Sequence, residues 1–341
     1  MNKSTLAIFG CTGSIGKSSL KVYSKNKDKF DLIYISANKN YKKLMKIQKM
    51  FKPKNYFLTS DIIKNKKFSK EKFFKSKKKL DYIISGVSGY EALDLNYKLV
   101  KKTKNLLLAN KETIICGGKI FLKYAKKNNC KIIPIDSEHH CIDYFFKNFK
   151  SKKNLDKIFI TASGGALFKK KINYNEKIKN VLNHPTWKMG KKITVDSSTF
   201  ANKVLELFEA HILFDLPRDK LDIKIDTSSR VHAIIKLKNN IYIPILHNPK
   251  MEIPISNSLN VNNLYDLKFK NIKLDLLEPD LNKFPIIKLG YKILSNYGHV
   301  GMILFTVIND RLVKLYIDNK IKYGDITKKL ISLYQDFLDK S

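Results

Sequence analysis

Residues 5–16 read T-L-A-I-F-G-C-T-G-S-I-G, and this stretch decides the fold. Thr5–Gly10 is a short apolar run ending on glycine, the length of a buried strand rather than of a helix. Cys11-Thr12-Gly13-Ser14-Ile15-Gly16 then leads into a helical pattern that turns Leu20 and Val22 toward a sheet. Strand, glycine turn and helix form the context in which such a motif carries meaning. Glycines at 10, 13 and 16 let the backbone turn tightly and let a pyrophosphate reach the helix N-terminus, where N–H groups favour an anion. A rival reading starts from Gly16-Lys17-Ser18, the tail of the loop G-x-x-x-x-G-K-[ST] of P-loop nucleotide hydrolases. Ile132–Asp136 imitates the apolar strand and acid of such enzymes, but the loop needs glycine at 11, where Cys11 stands.

Further strands are expected at Leu32–Ala37, Asn55–Thr59, Asp81–Ser85, Asn105–Ala109 and Lys131–Asp136, with helical patterns between them. That alternation predicts a parallel, doubly wound sheet with ligands at the carboxyl ends of its strands. Gly86, Gly89 and Asn110-Lys111-Glu112 lie just past such ends. After the second strand the chain reads Asn38-Lys39-Asn40, with no acid to hold a ribose 2′-hydroxyl. Lys39 suits a 2′-phosphate, which favours NADPH over NADH.

In the second half, Asp136 and Glu138 lie two apart at a strand end, where extended backbone would point both carboxylates the same way. Glu206 would complete a hard oxygen set for Mg²⁺ or Mn²⁺. The strand Asp156–Ala162 ends in Ser163-Gly164-Gly165, a turn able to offer a hydroxyl and N–H groups to a phosphate. His184-Pro185-Thr186-Trp187-Lys188-Met189-Gly190 holds the only tryptophan and suits a lid that excludes water, or else packs into the core. Asp196-Ser197-Ser198-Thr199 reads as the hydroxyl-rich start of a helix. On that helix Asn202 and Lys203 fall four and three residues before Glu206, on one side, while Val204, Leu205, Phe208 and Leu213 face a core. A helix start with hydroxyls and a lysine can seat a phosphate; the plainer alternative is a solvated Lys–Glu pair.

The ordered set G-C-T-G-S-I-G, A-N-K-E-T, I-D-S-E-H, S-G-G, H-P-T-W-K-M-G and V-D-S-S-T-F-A-N-K-V-L-E resembles the 1-deoxy-D-xylulose 5-phosphate reductoisomerase family. The similarity is strong from about Thr5 to Phe214 and weaker beyond. Members of that family make 2-C-methyl-D-erythritol 4-phosphate for non-mevalonate isoprenoid synthesis, by rearranging the sugar skeleton and reducing the product. The resemblance implies that Thr12, Gly13, Ser14 and Ile15 hold the NADPH pyrophosphate, with Lys39 and Asn40 at the 2′-phosphate and Asn110, Glu112 and Gly190 completing the cofactor site. Asp136, Glu138 and Glu206 would bind Mn²⁺ or Mg²⁺, with Co²⁺ a further candidate. Lys111, Ser137 and Glu138 would contact the reacting end of the substrate. Ser163, Ser197, Asn202 and Lys203 would clamp its phosphate, and His184 and Trp187 would belong to a closing flap. The catalytic set would be Lys111, Glu138, His184 and Glu206. A homodimer is implied, and the hairpin expected from Val231 to Leu246, split at Asn239-Asn240, is the candidate interface.

The chain departs from the family at several positions. Asn38 stands where glycine is usual, Asp226-Thr227-Ser228-Ser229 where the family has His-Pro-Gln-Ser, and Pro249-Lys250-Met251-Glu252 where it has Pro-Asp-Met-Arg. Asn309-Asp310 stands for an Asn-Glu pair, and His232 and His247 read as structural. The expected architecture is α/β: a Rossmann-like NADPH-binding domain over residues 1–134 and an α+β catalytic, metal-binding and dimerisation domain with a flap over 135–255. A connector over 256–273 then leads to a small C-terminal helical domain over 274–341, where Ile326, Leu330, Tyr334 and Phe337 should pack inward.

Composition bounds the rest. The 341 residues carry a formal charge of +36, but the lysines are spread along the whole chain rather than gathered into a stripe. Such a field attracts phosphorylated small molecules without requiring nucleic acid as a partner. Cys11, Cys116, Cys130 and Cys141 show neither disulfide nor zinc spacing, which fits a reducing compartment. No apolar run nears the roughly 20 residues of a membrane span. The chain enters a strand by Thr5, so no signal or transit peptide is expected, and a cytoplasmic protein is. Two other readings stay open, a P-loop nucleotide hydrolase and a degenerate homologue that binds NADPH without turnover.

Overall fold

The structure is a computed structural model that describes residues 3–60, 70–149, 152–261 and 274–338. It divides into two compact units, one of Met1–Thr113, Lys119–His140 and Met251–Asp266, the other of Ile114–Gly118, Cys141–Lys250 and Leu267–Ser341.

The first unit is built on β1 (Ser4–Phe9), whose Leu6, Ala7, Ile8 and Phe9 are fully buried. A strand apolar on both faces belongs at the centre of a parallel sheet covered on both sides. The succession continues α1 (Ser14–Ser24), β2 (Phe30–Ala37), α2 (Tyr41–Phe51), β3 (Asn55–Leu58), α3 (Lys70–Lys75), β4 (Leu80–Ser85), α4 (Ala92–Val100), β5 (Thr103–Leu108), α5 (Lys111–Lys127), β6 (Lys131–Pro134) and α6 (Ser137–Phe149). The sheet order is β3-β2-β1-β4-β5-β6 and every pairing is parallel, the doubly wound arrangement expected. The order reverses between β1 and β4, and the glycine turn sits at that switch point. One face of the sheet packs Phe9, Tyr34, Phe57 and Phe73 edge to face or tilted, with centroids 4.9–6.2 Å apart. A second buried cluster joins Leu20 and Val22 of α1 to Ile255, Leu259 and Val261, in and just beyond a helix at Glu252–Ser258 that is α10 in chain order. Residues 256–258, where the connector was expected to begin, thus close this helix, and 262–273 of that connector lie outside the described residues.

Two glycines make the turn after β1. Gly10 has φ +74°, and a Cβ there would lie 2.7 Å from the Gly86 carbonyl oxygen. A Cβ at Gly16 would come within 2.4 Å of both the Cys11 Cα and the Gly10 oxygen. Backbone cannot give way as a side chain can, so Gly16→Ala is expected to cost about 1–3 kcal/mol. Denaturant unfolding at constant m-value checks this; an unchanged midpoint would refute the close approach.

The second unit holds a mixed sheet, β10-β9-β7-β8-β11. Its central strand β7 (Leu155–Ala162) is followed by α7 (Ile178–Val181), α8 (Lys191–Thr199), α9 (Ala201–Phe214), β8 (Leu221–Asp226), β9 (Val231–Leu237) and β10 (Tyr242–Leu246). After α10 come β11 (Leu276–Leu277), α11 (Ile286–Asn296), α12 (Gly298–Ile317) and α13 (Tyr323–Leu338). β7 pairs with β8 in parallel and with β9 antiparallel, and the β9–β10 hairpin turns at Asn240, φ +62°, as the Asn-Asn pair indicated. α9 is buried almost all round, so it behaves as a core helix and not as an amphipathic surface one. A Cβ on Gly290 of α11 would lie 2.5 Å from Val204 Cγ1 of α9, and Phe208 meets Phe305 of α12 edge to face at 5.4 Å. On α13 Ile326, Leu330 and Tyr334 are buried as expected. Phe337, the penultimate residue of that helix, is 43% exposed and so departs from the expected inward packing.

Candidate active site

The glycine turn leaves four residues between the end of β1 and the start of α1. Gly13 precedes α1 in extended backbone with no side-chain cap, and its N–H donates to the Gly10 oxygen at 3.0 Å. Thr12 is half-buried, Gly13 and Ser14 are exposed, and Ile15 packs against Gly86. The first turn of α1 therefore presents backbone N–H groups outward, as anion binding requires. The same geometry removes the P-loop alternative: α1 already starts at Ser14, so five of the eight residues from 11 to 18 are helix and cannot wrap a phosphate.

Past β2, Lys39 is exposed and Asn40 caps α2 by accepting from the Lys43 N–H at 3.0 Å. Past β5, Asn110 caps α5 by accepting from the Thr113 N–H at 2.7 Å, while its amide donates to the Gly89 oxygen and the Glu112 carboxylate. Lys111, 5% exposed, makes an ion pair with Asp136. β6 ends at Pro134, so Asp136 and Glu138 do not share an extended strand as expected. Asp136 instead caps α6, where its Oδ1 accepts from the backbone of Glu138 at 3.3 Å and contacts His139 Nδ1 at 3.0 Å. Glu138 stands in the first turn of that helix, with Ser137 Oγ donating to it at 2.5 Å.

In the second unit the expectation for Asp196–Thr199 is corrected. These residues form the last turn of α8, not the first turn of the next helix. Phe200, φ +66°, separates the two helices, and Thr199 Oγ1 accepts from the Ala201 N–H at 3.3 Å. The expected spacing within α9 holds: Asn202 Nδ2 and Lys203 Nζ donate to the two oxygens of Glu206 at 2.5 and 2.6 Å, and Glu206 is 1% exposed. Gly190, exposed, precedes α8 in extended backbone, and its carbonyl accepts from Thr194. The Ser163-Gly-Gly turn lies against Ser197, since a Cβ on Gly165 (φ +71°) would be 2.7 Å from the Ser197 oxygen. Ser163 and Ser197, both half-buried, are thereby brought to one place.

His184 fixes the polarity of this turn. Its Nδ1 accepts from the backbone N–H groups of Thr186 (3.2 Å) and Trp187 (3.0 Å), so the proton of the neutral ring sits on Nε2. Nε2 then donates to Ser163 Oγ at 2.9 Å, and Gly165 N–H donates to the same oxygen. With both of these contacts made to its lone pairs, Ser163 keeps its own hydroxyl proton available to donate. Burial, helped by the Lys203 charge, pushes the His184 pKa down to about 4, so the ring stays neutral near pH 7. Between the ordinary imidazole range and about 4 the unfolded chain binds a proton that the folded chain refuses, so this contribution to stability is lost as pH falls through that window. Urea midpoints at pH 7.5 and 5 should therefore fall less for His184→Asn than for the wild type. An equal fall would place the group in water.

One carboxylate oxygen from each of Asp136, Glu138 and Glu206 lies within 4.8 Å of the others, a grouping able to hold a metal ion. Three hard oxygens with no sulfur or imidazole favour Mg²⁺ or Mn²⁺ over softer ions. Sequence reasoning missed how α8 is held. Asp196, 1% exposed, accepts from Asn309 at 2.8 Å and from Lys192 at 2.8 Å, and Tyr323 donates to Ser198 at 3.1 Å. Asn309 and Tyr323, over a hundred residues from their partners, leave no local signal.

Comparison with known proteins agrees with this geometry. Residues 6–73 and 72–118 match the family model 1-deoxy-D-xylulose 5-phosphate reductoisomerase, 132–214 match its C-terminal domain, and 246–340 match the DXP reductoisomerase C-terminal domain. The 1-deoxy-D-xylulose 5-phosphate reductoisomerase of Pelagibacter ubique is 41% identical over 355 residues, covering 96% of this chain and 90% of that protein. The chain belongs to the 1-deoxy-D-xylulose 5-phosphate reductoisomerase family. The Clostridium kluyveri reductoisomerase is 34% identical, with 94% and 89% covered. Among solved reductoisomerases, one in complex with NADPH, fosmidomycin and magnesium superposes with TM-score 0.86 at 27% identity, covering 98% of this chain and 89% of that one. The Zymomonas mobilis reductoisomerase in complex with NADPH gives 0.85 at 25%, covering 98% and 92%. The parallel sheet and the C-terminal helices thus belong to the reductoisomerase architecture.

Proposed function

We propose that this chain converts 1-deoxy-D-xylulose 5-phosphate to 2-C-methyl-D-erythritol 4-phosphate, an NADPH-dependent rearrangement and reduction that needs a divalent cation. The observation that carries the reading is the grouping of Asp136, Glu138 and Glu206, in a family whose solved members are described with NADPH and magnesium. A bound divalent cation supplies Lewis acidity toward paired substrate oxygens, and NADPH supplies hydride.

The chain's own residues do the rest. The N–H groups opening α1, with Thr12, Gly13, Ser14 and Ile15, cradle the pyrophosphate, and Lys39 and Asn40 lie where a 2′-phosphate would be met. Asn110 and Glu112, locked to each other at 2.9 Å, form a rigid polar edge for the nicotinamide end, which Gly190 would complete. Lys111 pairs with Asp136 and orients it, and Ser137 orients Glu138 at the reacting end. Ser163, its proton available to donate, joins Ser197, Asn202 and Lys203 around the substrate phosphate, whose remote binding contributes positioning energy. His184 and Trp187 shield the reacting carbons from water.

We further propose a homodimer. β10 is an edge strand, and Ile241 just before it and Tyr242, its first residue, are 52% and 54% exposed, which suits pairing with a second copy. No helix among the described residues is long and apolar enough to cross a membrane, and none of the four cysteines is in a disulfide, which supports a cytoplasmic setting. The test is NADPH oxidation in the presence of 1-deoxy-D-xylulose 5-phosphate, with and without Mg²⁺ or Mn²⁺. Metal-dependent oxidation is expected. NADPH binding without oxidation would leave only the degenerate homologue.

A further inference from the structure

Asp226, Thr227 and Ser228 depart from the family's His-Pro-Gln-Ser pattern while Ser229 keeps its serine, and the stretch has no part in the chemistry above. The Asp226 carboxylate gathers one turn: it accepts from the Ser228 N–H (3.0 Å) and hydroxyl (2.9 Å), and from the N–H groups of Arg230 (2.9 Å) and Val231 (2.8 Å). The Ser229 N–H closes the turn on the Asp226 carbonyl at 3.0 Å. This holds Ser229, 5% exposed, in the left-handed region at φ +54°, where few non-glycine residues sit. There its hydroxyl meets Thr186 Oγ1 at 2.8 Å. Thr186 Oγ1 is also 3.5 Å from His184 Nδ1, and its N–H is one of the two that fix the His184 tautomer. Trp187, next in the chain, rests edge-on against His232 at 6.2 Å, and His232 stacks on His247 at 3.8 Å.

We propose that Ser229 and Thr186 are positioning residues for substrate phosphate, acting through a relay from the Asp226 turn to His184 and on to Ser163. The hydroxyl pair fixes the backbone of residues 186 and 187. That backbone fixes the proton on His184 Nε2, and the imidazole aims Ser163. The relay makes the loop His184–Gly190 pre-set for binding, so the hydroxyl pair lowers the ordering cost that a free loop would impose on the substrate. This rests on the reading of Ser163 as a phosphate contact.

Thr186→Val keeps the shape and removes the hydroxyl, Thr186→Ser restores it, and Ser229→Gly removes the partner while suiting the left-handed backbone. Trp187 is the only tryptophan, so its emission reports on this loop in the full-length protein without substrate. In Thr186→Val and Ser229→Gly acrylamide quenching of Trp187 should rise. KM for 1-deoxy-D-xylulose 5-phosphate should rise about three- to tenfold, the worth of one neutral hydrogen bond, with kcat within about twofold. Thr186→Ser should match the wild type, and the double variant should be no worse than either single one. Wild-type quenching and KM in both single variants, or additive effects in the double one, would overturn the relay. Raised quenching with unchanged KM would overturn its role in phosphate binding. A wild-type protein that never oxidises NADPH but shows the quenching pattern would sink the proposed reaction and keep the Thr186–Ser229 contact.

Discussion

Glu206→Gln is expected to lower kcat by roughly a thousandfold or more while NADPH affinity stays within about twofold. The substitution keeps the volume and removes only the charge. Glu206 is 1% exposed, with Asn202 and Lys203 spending one donor each on its two oxygens. A glutamine in that position presents an amide to the Lys203 ammonium and takes one negative charge from the carboxylate grouping with Asp136 and Glu138. A divalent cation loses most where a charged ligand becomes neutral, so activity should not return at saturating Mg²⁺. The glycine turn after β1 is untouched, so quenching or fluorescence titration with NADPH should give a nearly wild-type constant. Should cofactor affinity fall as far as turnover, Glu206 would belong to the nucleotide site and the metal assignment would be lost.

How much of this was legible in the sequence depends on the range of the interactions. The parallel sheet was legible because β1 is apolar on both faces and ends in glycines that its neighbours require. At Gly16 the backbone of Cys11 and Gly10 leaves no room for a side chain, and that constraint shows as a glycine. The Asn202–Lys203–Glu206 constellation was legible because helical spacing alone brings it together. The start of α9 was misplaced because Asp196-Ser197-Ser198-Thr199 has the composition of a helix cap. The four residues close α8 instead, with Thr199 Oγ1 also accepting from the first N–H of α9, and what separates the helices is Phe200 in a left-handed conformation that its residue type does not announce. Asp136 and Glu138 were placed on a strand because Pro134 was not read as its last residue. The anchoring of Asp196 by Asn309 and of Thr186 by Ser229 spans distant segments, and no periodicity encodes it.

Lys203→Ala should lower kcat/KM for the phosphorylated substrate by about tenfold to a hundredfold, the value of a charge-assisted hydrogen bond to an anion. Most of the loss should appear in KM. Lys203 is 7% exposed, is bonded to Glu206 at 2.6 Å, and lies near enough to His184 for its charge to help lower that imidazole's pKa. It therefore acts on both Glu206 and His184, and a single substitution tests two functions. The two separate by substrate. If Lys203 recognises the phosphate, the variant should discriminate far less between 1-deoxy-D-xylulose 5-phosphate and 1-deoxy-D-xylulose, because the unphosphorylated sugar never used that cation. If Lys203 serves only to neutralise Glu206, both sugars should lose rate alike and raised Mg²⁺ should recover part of it, since the cation would supply the missing charge. An apparent substrate affinity unchanged in Lys203→Ala would remove the lysine from the phosphate clamp. The anion would then be left to Ser163, Ser197 and Asn202, neutral donors that could not account for tight recognition of a dianion.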